Sequence, residues 1–271
     1  TIISLTTGAS FWFIWKANLS TLSLNYLTVI PLGAAIAIVW ETNRLSILSL
    51  ALPLVIIRQS LEYIAALQRQ THEALIKMAD AIDQRDPSTF QHSQRVAMAA
   101  EAIAKEMDLP AEDVDTIRMA ARLHDLGKIG MSNTLLYKPG SFDDRERDEF
   151  RRHPALGADL VQSFHLFRQG RDLILHHHER YDGKGYPIGL AGEEIPLGSR
   201  ILAVADAFDA MISQRVYREP LTWEQAIEEL QRNKATQFDP EVVDAFLRVL
   251  EQRETKLVCY SATAFEPVLT T

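Results

Sequence analysis

Hydrophobic and polar positions divide the chain near residue 57. From Thr1 to Ile57 the apolar run is interrupted by only three formal charges, Lys16, Glu41 and Arg44, whereas Asp, Glu, Lys and Arg are frequent from Arg58 onward. The stretch from Leu22 to Trp40 carries no charge. At ~1.5 Å per residue it would cross most of a ~30 Å hydrocarbon core, so it predicts a transmembrane helix. Pro31 and Gly33 are tolerated in such helices, and Trp40 suits the membrane interface. Thr1 to Trp15 has the same character, and a start at Thr rather than Met points to further spans ahead of it. Leu45 to Ile57 is shorter and fits an interfacial or core segment as well as a span. Residues 1–57 are therefore expected to be a partial membrane region of two or three hydrophobic helices, with a soluble helical cap as the alternative. The positive-inside tendency puts Arg58 and the charged chain beyond it on the cytoplasmic side.

Past this point the apolar period changes. From residue 58 to 83 the chain predicts an amphipathic linker helix, with Leu61, Ile64, Leu75, Met78 and Ile82 near heptad spacing and polar Gln68 and Thr71 between them. It reads equally as a short coiled coil, which would make a homodimer, or as the first helix of the following domain. Helical spacing then recurs over Gln91–Met107, Ala111–Leu126, Asp143–Arg151, Leu156–Phe164, Phe167–His178, Pro196–Gln214, Trp223–Asn233 and Pro240–Glu254. Thr222 before Trp223, and Asp239 before Pro240, are helix-start signals. No period-2 strand is predicted, so the fold class is all-α, with a helical domain over 73–254 and a C-terminal tail over 255–271.

Composition alters this picture little. A net charge of −8 argues against a nucleic-acid partner, which usually needs a basic face. The single cysteine, Cys259, can form neither an intrachain disulfide nor a CxxC metal site.

The candidate chemistry lies in His124-Asp125 and in the run from His176 to Pro187. Adjacent imidazoles beside carboxylates are costly to bury unless they bind something, which makes a metal site the first hypothesis. Asp206 lies in the apolar run Ile201 to Phe208, where a buried carboxylate needs a cation, either a metal ion or an arginine.

The succession of His124-Asp125 with Gly127 to Gly130, His153-Pro154, His177 to Pro187, Asp206 with Asp209, and Arg215 to Arg218 resembles the HD-GYP domain, a branch of the HD phosphohydrolase superfamily. The resemblance covers roughly residues 73–250. It implies an HD-type helical bundle that hydrolyses cyclic di-GMP to linear pGpG, with GMP as the alternative end product, in bacterial second-messenger signalling. It also implies a ligand set of His92, His124, Asp125 and Asp206 for one metal ion and His153, His177 and His178 for a second, with Asp125 bridging. Two divalent transition-metal ions are expected, iron or manganese first. Lys128 is expected to bind a phosphate oxygen or protonate the leaving alkoxide, Arg215 and Arg218 to bind phosphate, and Asp86 and Asp209 to act as orienting or general-acid carboxylates. Some relatives hold a third ion with a carboxylate four residues before the first ligand histidine. Ser88 stands there in this chain, which favours two ions. The family's glycine-rich loop also implies GGDEF-domain proteins as partners, and Glu179 just before it is expected to hold a ligand histidine or an arginine. With the expected spans, the chain would sit in the bacterial inner (cytoplasmic) membrane, its catalytic domain in the cytosol. The alternatives are a catalytically silent receptor for the dinucleotide and a hydrolase of another nucleotide.

Overall fold

Ten α-helices linked by short 3-10 turns make up the described part of this computed structural model, which covers residues 33–34, 37–38, 40–41, 48–85, 91–138, 140–214 and 219–254. In chain order these are α1 (Leu48–Arg85), α2 (His92–Glu106), α3 (Ala111–Leu123), α4 (Asn133–Leu136), α5 (Asp144–Phe150), α6 (His153–Gln162), α7 (Arg171–Leu175), α8 (Leu197–Ile212), α9 (Trp223–Arg232) and α10 (Pro240–Glu254). Among the described residues only two isolated bridges, Asp182 with Ala191 and Lys234 with Phe238, have β pairing. The expected all-α class holds.

The chain divides into two compact units, Thr1–Arg69 and Gln70–Thr271. In the first, the expected membrane helices require correction. Thr1 to Trp15 lies outside the described residues, and Leu22 to Trp40 contributes only Gly33, Ala34, Ala37, Ile38 and Trp40 to them. Leu45 to Ile57 is taken largely into α1, whose apolar start meets Arg58 and Glu62 and continues as a charged helix. No helix among the described residues is long and apolar enough to cross a membrane. The expected membrane attachment and inner-membrane location rested on such helices, and none among the described residues supplies one.

In the second unit, α2 packs against α3, α8 and α10. Its buried side chains, Val96, Ala97, Ala100, Ile103 and Ala104, recur at helical spacing on one face. Small residues there and at Ala120 and Ala121 of α3 let the two helices approach closely. Helix α8 runs through the core, burying Ile201, Leu202, Val204, Ala205 and Phe208. Phe208 meets Trp223 and Phe246 edge to face, with ring centroids 5.3 and 4.9 Å apart. Burying each such side chain contributes about 1.5–3 kcal/mol.

Three boundaries differ from the sequence expectation, and each difference serves the site. Helix α3 stops at Leu123 and tightens into a 3-10 turn over Leu126–Gly130, so His124 and Asp125 sit at a helix end. Helix α6 begins at His153, where Pro154 suits a first turn that has no use for its missing N–H. The helix expected over Phe167–His178 is divided at Gly170 into a 3-10 turn and the short α7, which releases His176 to His178 from helical geometry. Gly127 then lets the turn after α3 lie against α6. A Cβ there would fall 2.0 Å from the His153 carbonyl oxygen and 2.6 Å from the Gly157 nitrogen.

Candidate metal centre

Three of the histidines are aimed by the same local device. Nδ1 of His124 donates to the Ala121 carbonyl at 2.8 Å, Nδ1 of His153 to Phe150 at 2.8 Å, and Nδ1 of His177 to Ile174 at 2.6 Å. A carbonyl only accepts, so the proton is fixed on Nδ1 and the lone pair on Nε2, pointing away from the parent helix. His92, the first residue of α2, is oriented differently, by the Asp209 carboxylate 2.7 Å from its Nδ1. Asp209 is in turn gripped by Arg95 at 2.6 and 2.9 Å. Both residues also bond Ser213, at 3.0 Å from Arg95 and 3.2 Å from Asp209.

The freed nitrogens converge. His92, His124 and Asp206 form one group of donor atoms lying within 4.8 Å of one another, His153, His177 and His178 form another, and His124, Asp125 and His177 join the two. Asp125 faces both ways: Oδ2 lies 3.4 Å from His124 Nε2 and 4.0 Å from His92 Nε2, while Oδ1 lies 3.5 Å from His153 Nε2. Asp206 Oδ1 is 3.2 Å from His92 Nε2. Lys128 Nζ reaches Asp125 Oδ2 at 2.6 Å and lies 5.7 Å from the centroid of the Phe150 ring.

The donor set fits metal ions. His177 Nε2 is buried without a hydrogen-bond partner among the described residues, and His153 and His178 bring their Nε2 atoms within 3.1 Å of each other. An orphaned imidazole nitrogen costs about 1–3 kcal/mol unless something accepts its lone pair. Two clusters sharing Asp125 make a binuclear metal-binding arrangement.

Charge supports the same reading. Burial pushes His153 down to about 3 and His178 to about 4, so both imidazoles are neutral near pH 7, as ligands must be. Burial, with His178 alongside, holds His177 well below the ordinary range. At His92 burial opposes the charge, yet hydrogen bonds to Asp206 and Asp209 lift it to about 10. Those carboxylates demand a cation, whether proton or metal. Burial works against ionised Asp125 as well, but Lys128 and His124 keep it well below the carboxylate range.

The loop after His178 is built around Glu179, which is buried and accepts from the backbone nitrogens of Ile188 at 2.8 Å and Gly189 at 3.1 Å. It holds the loop rather than a ligand histidine or an arginine. Gly185 lets the chain fold back, since a Cβ there would fall 2.3 Å from the Arg180 nitrogen. The fold brings Tyr186 against His178, with ring centroids 4.9 Å apart, and places the Arg151 guanidinium carbon over the Tyr186 ring, 5.3 Å from its centroid. Arg180 pairs with Asp182 at 2.9 and 3.0 Å.

The structure thus gathers His92, His124, Asp125, Lys128, His153, His177, His178, Asp206 and Asp209. Asp86, Ser88, Arg215 and Arg218 lie outside the described residues. Asp83, Arg95 and Arg151 were not singled out in the sequence. Asp83 is buried at the end of α1 and accepts from Ser93 N at 3.0 Å and Ser93 Oγ at 2.7 Å, which ties α1 to the residue beside His92. A polar residue ten positions from its partner leaves no periodic signal. Arg95 lies one turn past His92, a spacing that could have flagged it.

An HD domain family model matches residues 77–242. A cyclic di-GMP phosphodiesterase response regulator, RpfG, of Xanthomonas campestris is 42% identical over 202 residues, which are 74% of this chain and 53% of that protein. The 3'3'-cGAMP-specific phosphodiesterase 2 of Vibrio cholerae is 34% identical over 191 residues, 70% of this chain and 37% of that protein. The crystal structure of a cyclic GMP-AMP specific phosphodiesterase of V. cholerae aligns at a TM-score of 0.55 with 20% identity, covering 68% of this chain and 49% of that one, a likeness of fold.

Proposed function

The chain belongs to the HD domain family, and from that premise we propose that it is a metal-dependent phosphodiesterase of the HD-GYP type, carried by residues 73–254, that opens cyclic di-GMP to pGpG and onward to GMP. One observation carries this reading: the two oxygens of Asp125 face two separate donor clusters, an arrangement that serves a pair of ions and has no use in simple packing. The named activities of the relatives support the substrate class.

In this reading His92, His124, Asp125 and Asp206 hold one ion and His153, His177 and His178 the other, with Asp125 shared. Iron or manganese suits the imidazole-rich, carboxylate-bridged set. When bound, such a pair supplies charge for a phosphoryl oxygen and a lowered pKa for an attacking water. The rest of the work falls to side chains. The carbonyl bonds to Nδ1 keep His124, His153 and His177 each in one tautomer and one direction, so these rings need no reorganisation when substrate arrives. Asp209 does the same for His92 and is a positioning residue. Lys128 Nζ, held by Asp125, donates to a non-bridging phosphate oxygen or returns a proton to the leaving alkoxide. Arg215 and Arg218 are the proposed phosphate forks, and Asp86 a proposed carboxylate near the ions.

Cyclic GMP-AMP is the second substrate reading, favoured by the V. cholerae relative. The test is anaerobic purification of the chain, metal analysis, and chromatography after incubation with each dinucleotide. About two transition-metal ions per chain and pGpG from cyclic di-GMP are expected. A loaded protein that binds cyclic di-GMP without cleaving it would make it a receptor, and faster cleavage of cyclic GMP-AMP would reassign the substrate.

A further inference from the structure

A cyclic dinucleotide brings two phosphodiesters in one ring, and only one can be cut at a time. The other remains an anion held close to the metal centre by the covalent ring, and it must be either solvated or paired. Among the described residues, Lys128 is held by Asp125 at 2.6 Å and is assigned above to the phosphate being cut, and Arg95 is engaged by Asp209 at 2.6 Å. Arg151 is placed differently. It is exposed, and its guanidinium carbon lies 5.3 Å from the centroid of the Tyr186 ring. That ring is stacked on His178 at 4.9 Å with the planes 35° apart, and His178 Nε2 is 3.1 Å from His153 Nε2. Arg151 also stands two residues before His153, in the turn between α5 and α6, so the backbone that positions a donor of the centre positions the guanidinium too.

Building on the cyclic-dinucleotide reading above, we propose that Arg151, set on the Tyr186 ring, receives the second, uncut phosphate of the substrate. A guanidinium lying on an aromatic face is held in place through cation–π attraction, which leaves its N–H edge as a planar fork for two phosphate oxygens. Among the described residues Arg151 forms no ion pair with a carboxylate that would compete for that fork. The contact is made alike in ground state and transition state, so it acts on binding rather than on the chemical step. It also separates a substrate with two phosphodiesters from one with a single phosphodiester.

The experiment compares cyclic di-GMP with bis(p-nitrophenyl) phosphate, which has one phosphodiester, on the metal-loaded full chain and its Arg151→Ala and Arg151→Lys variants. A phosphorothioate analogue of cyclic di-GMP gives the affinity without turnover. Loss of a charge-assisted, forked contact predicts that Arg151→Ala raises KM for cyclic di-GMP, and Kd for the analogue, about tenfold more than KM for the single diester. It also predicts little change in kcat, a weaker dependence of KM on salt, and partial recovery in Arg151→Lys, which keeps the charge without the fork. Equal changes on both substrates, or a fall in kcat with unchanged KM, would overturn the role of Arg151 while the functional reading stands. A wild-type chain that cleaves the single diester but neither binds nor cleaves cyclic di-GMP would overturn both.

Discussion

The two halves of the metal centre are built on different principles. In the half formed by His153, His177 and His178, His153 and His177 are aimed by carbonyls three residues earlier in the chain, and His124 at the shared edge uses the same device. A short segment suffices to orient these rings. His92 instead depends on Asp209, 117 residues away, and Asp209 depends on Arg95 and Ser213. That half forms only when α2 and α8 are packed. One half is therefore robust to changes elsewhere in the fold, and the other reports on them.

The strongest way to break this comparison is to remove the carboxylate the halves share. Asp125→Ala should reduce turnover of cyclic di-GMP by about 10³-fold or more and lower the metal content of both halves, since it withdraws the bridge and leaves Lys128 without its partner. Turnover within tenfold of wild type would remove Asp125 from the bridging role.

Asp209→Ala should separate the halves. The loss of an orienting carboxylate typically weakens metal binding about 10–100-fold, so one ion should become loose while the second stays tight in a two-step titration. Equal weakening of both steps would show that the halves are not independent.

Asp83→Asn strikes the same half through the backbone. Its carboxylate is buried and takes two hydrogen bonds from Ser93, so the substitution should lower unfolding free energy by about 1–3 kcal/mol in urea. The environment of His92, followed by imidazole NMR signals, should shift more than that of His177.

The smallest effect is a pH effect beside the robust half. The Arg180 hydrogen bond holds the Asp182 carboxyl down at about 2, from an ordinary value of 3.8. A depressed carboxylate contributes stability that is present above the unfolded value and lost as pH falls through the folded one. The loop contribution should therefore fade between about pH 4 and pH 2, and Arg180→Gln should remove that slope from the acid-unfolding curve. An unchanged slope would leave the pair without a part in loop stability.

Much of this centre was legible in the sequence because its donors occur as tight local clusters: His124-Asp125, His177-His178, and Asp206 in an apolar run. The helix content was equally plain, since α2, α8 and α10 bury one face at regular spacing. What stayed hidden is tertiary or depends on where a helix stops. The segment before His176 divides at Gly170 with no breaker signal in its backbone, and the tie from Asp83 to Ser93 follows from how the end of α1 meets α2. Glu179 was expected to hold a histidine or an arginine, but the return of the chain at Gly185 hands it two backbone N–H groups instead. The membrane expectation rested chiefly on Thr1 to Trp15 and Leu22 to Trp40, most of which lies outside the described residues. In the weaker segment, Leu45 to Ile57, the apolar start of α1 continues into a helix that carries Arg58 and Glu62, and no helix among the described residues is long and apolar enough to cross a membrane.

The central claim is that two ions sharing Asp125 act together, and the most direct test is to titrate the metal-free chain with manganese while following both bound metal and cleavage of cyclic di-GMP. The account predicts little turnover through the first equivalent and a rise with the second. Full activity at one bound ion per chain would contradict it.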